Sequence, residues 1–312
     1  MLSRVADTIY WMARYTERTN GMLQVLRTNY ISSQDEIIDF SWRPLLNTYA
    51  TQLTKKELEV VEKDTTKVFD YLILDKMNSS SAYNNIMRAR ENARAIQDHI
   101  TKEVWQCFNN YYHFIRNPEL EMQIRTGDPV SAIDGLIRHG LLFTGTVKNT
   151  MTRDEGYTFL HIGKFLERAV LTADIVRIKL SEIEEERQFA GETRGLRYLL
   201  YSLFGFEIYM RVYKGNFNMQ DVLELLLKTP YFPHSLFYSI NQMNRYFERL
   251  KPESVPESYE QLEFLIGKTM NNVKYTNIEA NSPAMLNSFL TQTKSDLIGI
   301  AGAFRKNYFG NL

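Results

Sequence analysis

One cysteine, Cys107, leaves the chain without internal disulfides or Cys-based zinc and iron–sulfur sites, and suits a reducing compartment. Glycine (15) and proline (8) are scarce for 312 residues, so few positions are left to make turns. Neither sign of charge dominates. The 37 Lys and Arg are matched by 37 Asp and Glu, and no uniform field draws in nucleic acid or an anionic membrane. Long apolar runs are missing too: Val222 to Leu227 is interrupted by Glu224, and Leu136 to Phe143 by Arg138 and His139, whereas a membrane span needs ~18 to 20 apolar residues. Arg4, Asp7 and Arg14 sit where a targeting segment would be apolar. The expectation is a cytoplasmic protein with neither nucleic acid nor membrane as partner.

What is present is helical periodicity. Apolar residues recur at three- and four-residue spacing, as in Val5, Ile9 and Met12 or Phe159, Ile162, Leu166 and Ala169, and strict alternation is rare. Start signals agree: Asp128-Pro129, the capping boxes Thr54-x-x-Glu57 and Thr152-x-x-Glu155, and Asn218-x-x-Asp221. Stops fall at Gly127 and Gly215-Asn216, where glycine would take a left-handed cap, and at Thr229-Pro230 and Lys251-Pro252. The pattern predicts an all-α protein, a large bundle of about ten to thirteen helices. The helices are placed near 2–30, 43–52, 55–75, 80–116, 129–150, 153–180, 193–214, 219–228, 235–250, 256–275 and 283–308. A single domain over 1–312 is expected, whose halves 1–150 and 151–312 would be pseudo-repeats. The acidic run Glu182 to Glu186 and the stretch Pro252 to Pro256 are candidate flexible points.

A basic-aromatic-x-Glu-Arg word occurs three times: Arg14-Tyr15-Thr16-Glu17-Arg18, Lys164-Phe165-Leu166-Glu167-Arg168 and Arg245-Tyr246-Phe247-Glu248-Arg249. Random order at this composition yields roughly 0.03 copies. On a helix the first copy extends into a stripe of Asp7, Trp11, Arg14 and Arg18, the second into Tyr157, His161, Lys164 and Arg168, and the third into Tyr238, Gln242, Arg245 and Arg249. Glu91, Arg94, Asp98 and Trp105 would form a further polar stripe on one helix. Aromatic rings on such stripes argue that they pack against protein or line a cavity.

Three chemistries fit. Internal Glu-Arg ion pairs could set helix register. Alternatively, Arg14, Arg18, Arg90, Arg94, Arg153, Lys164 and Arg168, with Trp11, Tyr157 and His161, could hold a carboxylate or phosphate. As a third option, Glu17, Glu91 or Glu167 could act as acid-base beside an arginine clamp in an enzyme working on peptide or amide bonds. The five histidines form neither His-Glu-x-x-His nor the Glu-x-x-His pair of di-iron bundles, and nucleotide loops and nucleophile elbows are missing. No metal and no cofactor is expected.

The words 1–18, Arg88-Ala89-Arg90-Glu91-Asn92-Ala93-Arg94 with Glu103-Val104-Trp105, Met151 to Gly156 running into Phe165-Leu166-Glu167-Arg168, and Glu207-x-Tyr209-x-Arg211-x-Tyr213 followed by Phe232-Pro233 resemble the bacterial Alpha-E domain family across essentially the whole chain. Thr16, Thr19 and Lys164 depart from its usual Leu, Ala and Arg. The resemblance implies a cytoplasmic helical protein acting with ATP-grasp-type ligases and transglutaminase-like proteins on a peptide or amide-linked product. An accessory or scaffold role is expected rather than catalysis.

Overall fold

The computed structural model describes residues 1–34, 40–186, 189–215, 217–254, 256–277 and 282–310, with the side chains of 184–191 outside the description. The expectations placed on the acidic side chains at 184–186, on Asn216 and on part of the Pro252 to Pro256 stretch therefore lie outside the described residues. Among the described residues there are fifteen α-helices and no strand, somewhat more helices than the ten to thirteen expected. They form two compact units: Trp11–Thr152, and Met1–Tyr10 with Arg153–Leu312. None of the described helices is long and apolar enough to cross a membrane.

The long first helix, α1 (Ser3–Ser33), contributes its residues from Trp11 onward to the first of these units. There it is joined by α2 (Arg43–Tyr49), α3 (Lys55–Val61), α4 (Thr65–Phe69), α5 (Ala82–Ala95), α6 (Lys102–Ile115), α7 (Pro118–Thr126) and α8 (Pro129–Thr150). Thr16 and Thr19, buried on α1, donate their hydroxyls to the Met12 and Tyr15 carbonyls at 2.9 and 2.8 Å, which satisfies them without a neighbour. Arg27 pairs with Asp134 of α8 at 2.5 Å, and Phe108 of α6 packs on Phe143 of α8 with centroids 4.6 Å apart.

Several expected helices are broken here by polar caps. The 55–75 helix is interrupted at Asp64, whose carboxylate accepts from the Thr66 and Lys67 amides, and α4 then runs into a π-helical turn at Asp70–Leu74. The 80–116 helix ends at Ala95 and restarts after Thr101, which caps Val104. Helix α7 was absent from the expected set, although Asn117-Pro118 announces it: Asn117 accepts from the Glu119 amide at 3.0 Å and Pro118 takes the first helical position. Its stop, Gly127, has φ −115°, so the left-handed cap expected there does not form.

The other unit is built around α9 (Glu155–Glu186), with α10 (Phe189–Ser202), α11 (Phe206–Tyr213), α12 (Met219–Leu223), α13 (Leu236–Phe247), α14 (Glu257–Tyr275) and α15 (Pro283–Tyr308). Helix α9 packs against α10, α13 and α15 at once. Its start departs from the expected Thr152 box, because Asp154 is the cap: its Oδ1 accepts from the Tyr157 amide at 3.0 Å and its carbonyl from the Thr158 amide at 3.1 Å. Residues Met1–Tyr10 close one side. At Gly163 a Cβ would stand 2.5 Å from the Tyr10 carbonyl oxygen, so only glycine allows α9 to approach this closely. Tyr10, Phe247, Tyr259, Phe304 and Phe309 fill the space with buried rings, Phe247 stacking on Tyr259 at 4.5 Å.

The expected 193–214 helix is split into α10 and α11 by a C-terminal motif. The Gly205 amide bonds to the Leu200 carbonyl at 2.8 Å and the Phe204 amide to the Tyr201 carbonyl at 3.3 Å, the Schellman pattern. Phe204 occupies the left-handed position of that motif with φ 58°, while Gly205 beside it keeps φ −92°.

Candidate functional site

In the unit built on α9, the second and third copies of the repeated word face each other across α9 and α13. Tyr157, His161 and Phe165 are spaced four residues apart on α9, so their rings stack along one face. The Tyr157 and His161 centroids are 4.0 Å apart, and those of His161 and Phe165 6.1 Å. From α13, Tyr246 meets all three, at 6.1, 4.5 and 6.0 Å, and Tyr238 meets Phe165 edge-on at 6.1 Å.

Four cations flank this ladder. The Arg153 guanidinium lies 4.3 Å above the Tyr157 ring, Arg249 lies 4.7 Å above Tyr246, and Arg168 and Lys164 lie 5.6 and 5.8 Å from Phe165. Arg168 also donates from a terminal nitrogen to the Pro233 carbonyl at 3.2 Å, tying α9 to the loop before α13.

The environment sets the protonation of the buried groups. His161 Nδ1 lies 2.9 Å from the Tyr157 carbonyl oxygen, which in a neutral ring places the proton on Nδ1 and leaves Nε2 as an acceptor. Burial, helped by the positive charges of Lys164, Arg153 and Arg249, pushes its pKa down to about 4, so the ring is neutral at pH 7. His234, in the loop beside Arg168, is pushed well below its ordinary value by burial and by the same kind of charge, Arg168 and Lys164. Tyr246 is pushed up to about 12 by burial, by Tyr157 electrostatically and by a hydrogen bond with the Tyr157 hydroxyl. At pH 7 the ladder therefore carries a neutral His161 and a protonated Tyr246, with four cations beside them.

The remaining expected residues, Glu167 of α9 apart, lie in the unit Trp11–Thr152. Arg14 is buried over the Trp11 ring at 4.5 Å, and Trp11 packs on Tyr15 at 5.4 Å; Arg18 is partly buried on the same helix. Trp105 does not continue the Glu91 stripe, because the helix breaks between them. Antiparallel packing of α5 and α6 brings it instead to Arg90, whose guanidinium lies 5.3 Å from Trp105 and 4.5 Å from Tyr112 and donates to Asn109 Oδ1 at 3.1 and 3.0 Å. Glu91 accepts from Arg90 at 2.9 Å and pairs with Arg94 at 3.0 Å, so these three charges are tied to one another on the helix surface. Glu17 and Glu167 are both buried, 8% and 2% exposed.

The cavity described in the α9 unit, about 790 Å³, is lined by Arg177, Leu180, Ile183, Glu192, Asn287 and Leu290 among others, and by none of the residues expected to bind.

A family described as a predicted alpha-helical domain with a conserved ER motif, Alpha-E, matches residues 1–309. The chain belongs to the Alpha-E family. Glu17-Arg18, Glu167-Arg168 and Glu248-Arg249 are Glu-Arg pairs of this Alpha-E chain, and two of them stand on either side of the ring ladder. Among curated proteins it is similar to the uncharacterized protein Mb2597 of Mycobacterium bovis and to the uncharacterized proteins MT2643 and Rv2567 of Mycobacterium tuberculosis. Each is 23% identical over 258 residues, covering 77% of this chain and 29% of the relative. The Alpha-E chain thus spans less than a third of the length of these relatives. No solved structure matches it.

Helical spacing of the repeated word singles out Tyr157, His161, Lys164 and Arg168 of this cluster, and Arg153 is a candidate with them; Tyr238 and Arg249 appear only in the third stripe, and Tyr246, Phe165 and His234 are not among the binding candidates. The third copy of the word carries Tyr246 and Arg249, and that repetition was the signal that could have found them.

Proposed function

We propose that this Alpha-E protein is an accessory binding module that holds an anionic group, a carboxylate or phosphate, on the α9–α13 face. The observation that carries the reading is the convergence of Arg153, Lys164, Arg168 and Arg249 on one continuous set of rings, Tyr157, His161, Phe165 and Tyr246. Guanidinium groups offer planar forked donors that match carboxylate and phosphate oxygens, and ring faces fix their orientation. A neutral His161 with Nδ1–H on the Tyr157 carbonyl offers a carboxylate no hydrogen bond, which leaves the holding of an anion to the four cations. Arg90 and Arg94 belong to the Trp11–Thr152 unit, where Glu91 pairs with both and Asn109 accepts from Arg90.

The anionic group is borne by a peptide or small molecule handled in an amide-ligation or peptide-processing system, with an ATP-grasp-type ligase or a transglutaminase-like protein as partner. Supporting this, the mycobacterial relatives carry the matching region within much longer chains, so the module works beside other sequence in them. The test is calorimetric titration with inorganic phosphate and with the acetylated tripeptide Ac-Ala-Ala-Ala bearing a free C-terminal carboxylate. Saturable binding to either probe is expected, weakened about tenfold by Arg249→Gln or Lys164→Gln. Absence of binding to both, in a folded protein, would overturn the reading.

A further inference from the structure

Phe204 carries a conformational burden. It sits in the left-handed region at φ 58°, where a bulky L-residue is strained, although glycine is the next residue and the motif calls for glycine at this very place. The residue is nevertheless 46% exposed, so the strain is not offset by deep burial. One face of it meets the His234 ring, centroids 5.1 Å apart. His234 in turn feels Arg168 and Lys164, and Arg168 binds the carbonyl of Pro233 next to it. Phe204, on the turn between α10 and α11, and Arg168, on α9, thus both touch the short loop that carries Pro233 and His234.

We infer that Phe204 is a recognition residue for the apolar side chain adjoining the bound anion, and that the ligand is a peptide ending in a free carboxylate with an aromatic or large aliphatic last residue. This rests on the anion-site reading above. Charge complementarity selects the occupant: Lys164 and Arg168 take the terminal carboxylate, and the Phe204 ring covers the neighbouring side chain. Strain retained at an exposed position is expected where a side chain is needed for binding rather than for the fold.

The experiment compares Ac-Ala-Ala-Phe, Ac-Ala-Ala-Ala and the C-terminal amide of Ac-Ala-Ala-Phe on the wild-type chain, Phe204→Gly and Phe204→Asn, both of which accept a left-handed backbone. The wild type should prefer the Phe-ended acid over the Ala-ended acid about fivefold and should not bind the amide. Both variants should lose that preference while still binding the Ala-ended acid, and Phe204→Gly should melt about 2 °C higher than the wild type. Equal affinity of the wild type for the two acids, or a preference that survives removal of the ring, would overturn the inference while leaving the anion site standing. Failure of both acids to bind would overturn this inference, and failure of inorganic phosphate to bind as well would remove the anion site with it.

Discussion

Phe165 and Tyr246 hold the same position in two copies of one five-residue word, and their rings lie nearly parallel, 19° apart, with centroids 6.0 Å from each other. The repeat therefore has a spatial meaning in the α9 unit, since its second and third copies bring their aromatic positions together and their flanking cations around them. The copies are not equivalent. Glu167 lies mid-helix and buried, whereas α13 ends at Phe247 and Glu248 opens a 3₁₀ turn, exposed and accepting from the Asn244 side chain at 2.8 Å.

Acid should destabilise the protein through its histidines. His161 has a folded pKa of about 4, below the ordinary 6.5, and His234 is shifted in the same direction. The unfolded chain then binds more protons between these values, so stability is fully present above about pH 6.5 and falls as pH drops toward 4. His161 alone contributes up to about 3 kcal/mol to this slope. Chemical denaturation at pH 7 and pH 5 should show the loss, and His161→Phe, which keeps a ring in the stack, should flatten it.

Lys164 acts on both histidines. Lys164→Gln removes one positive charge from each, so the protonation midpoints of His161 and His234 should both rise. Imidazole NMR titration reads both, and an unchanged midpoint at His161 would mean that Lys164 does not contribute to it.

Two glycine substitutions separate close approach from open surface. Gly163→Ala forces α9 away from the Tyr10 backbone and should destabilise by about 2 to 3 kcal/mol. Gly267→Ala on α14 meets nothing within 4 Å and should stabilise by about 0.5 to 1 kcal/mol through helix propensity. Urea denaturation of each variant gives the sign.

In the Trp11–Thr152 unit, Arg90 and Arg94 should behave differently although both pair with Glu91. Arg90 packs between Trp105 and Tyr112 and bonds Asn109, so Arg90→Ala should cost about 1 to 2 kcal/mol. Arg94, whose side chain is 62% exposed, should change stability by less than about 0.5 kcal/mol.

Helix class was legible because apolar residues repeat at helical spacing along nearly the whole chain, and most capping signals fell where the helices begin. Breaks inside long periodic stretches were not legible. Asp64 and Thr101 are ordinary polar residues until their side chains turn back to cap an amide, and Phe204 ends a helix against its own preference because Gly205 is displaced by one residue. Half of the ladder, Tyr157 to Arg168, was readable from one helix stripe. Tyr246 and Arg249 needed the packing of α13 on α9, and Arg90 needed the turn that folds α6 back on α5. Periodicity along one helix says nothing about which other helix will lie beside it.

The central claim is that an anion binds among Arg153, Lys164, Arg168 and Arg249, next to His161 and His234. The chain holds five histidines, of which His99, His113 and His139 belong to the Trp11–Thr152 unit and serve as internal controls. Histidine-selective NMR during titration with Ac-Ala-Ala-Phe at pH 7 is the most direct measurement. The imidazole signals of His161 and His234 should move saturably together while the other three stay in place; a titration that leaves these two signals unmoved would contradict the account.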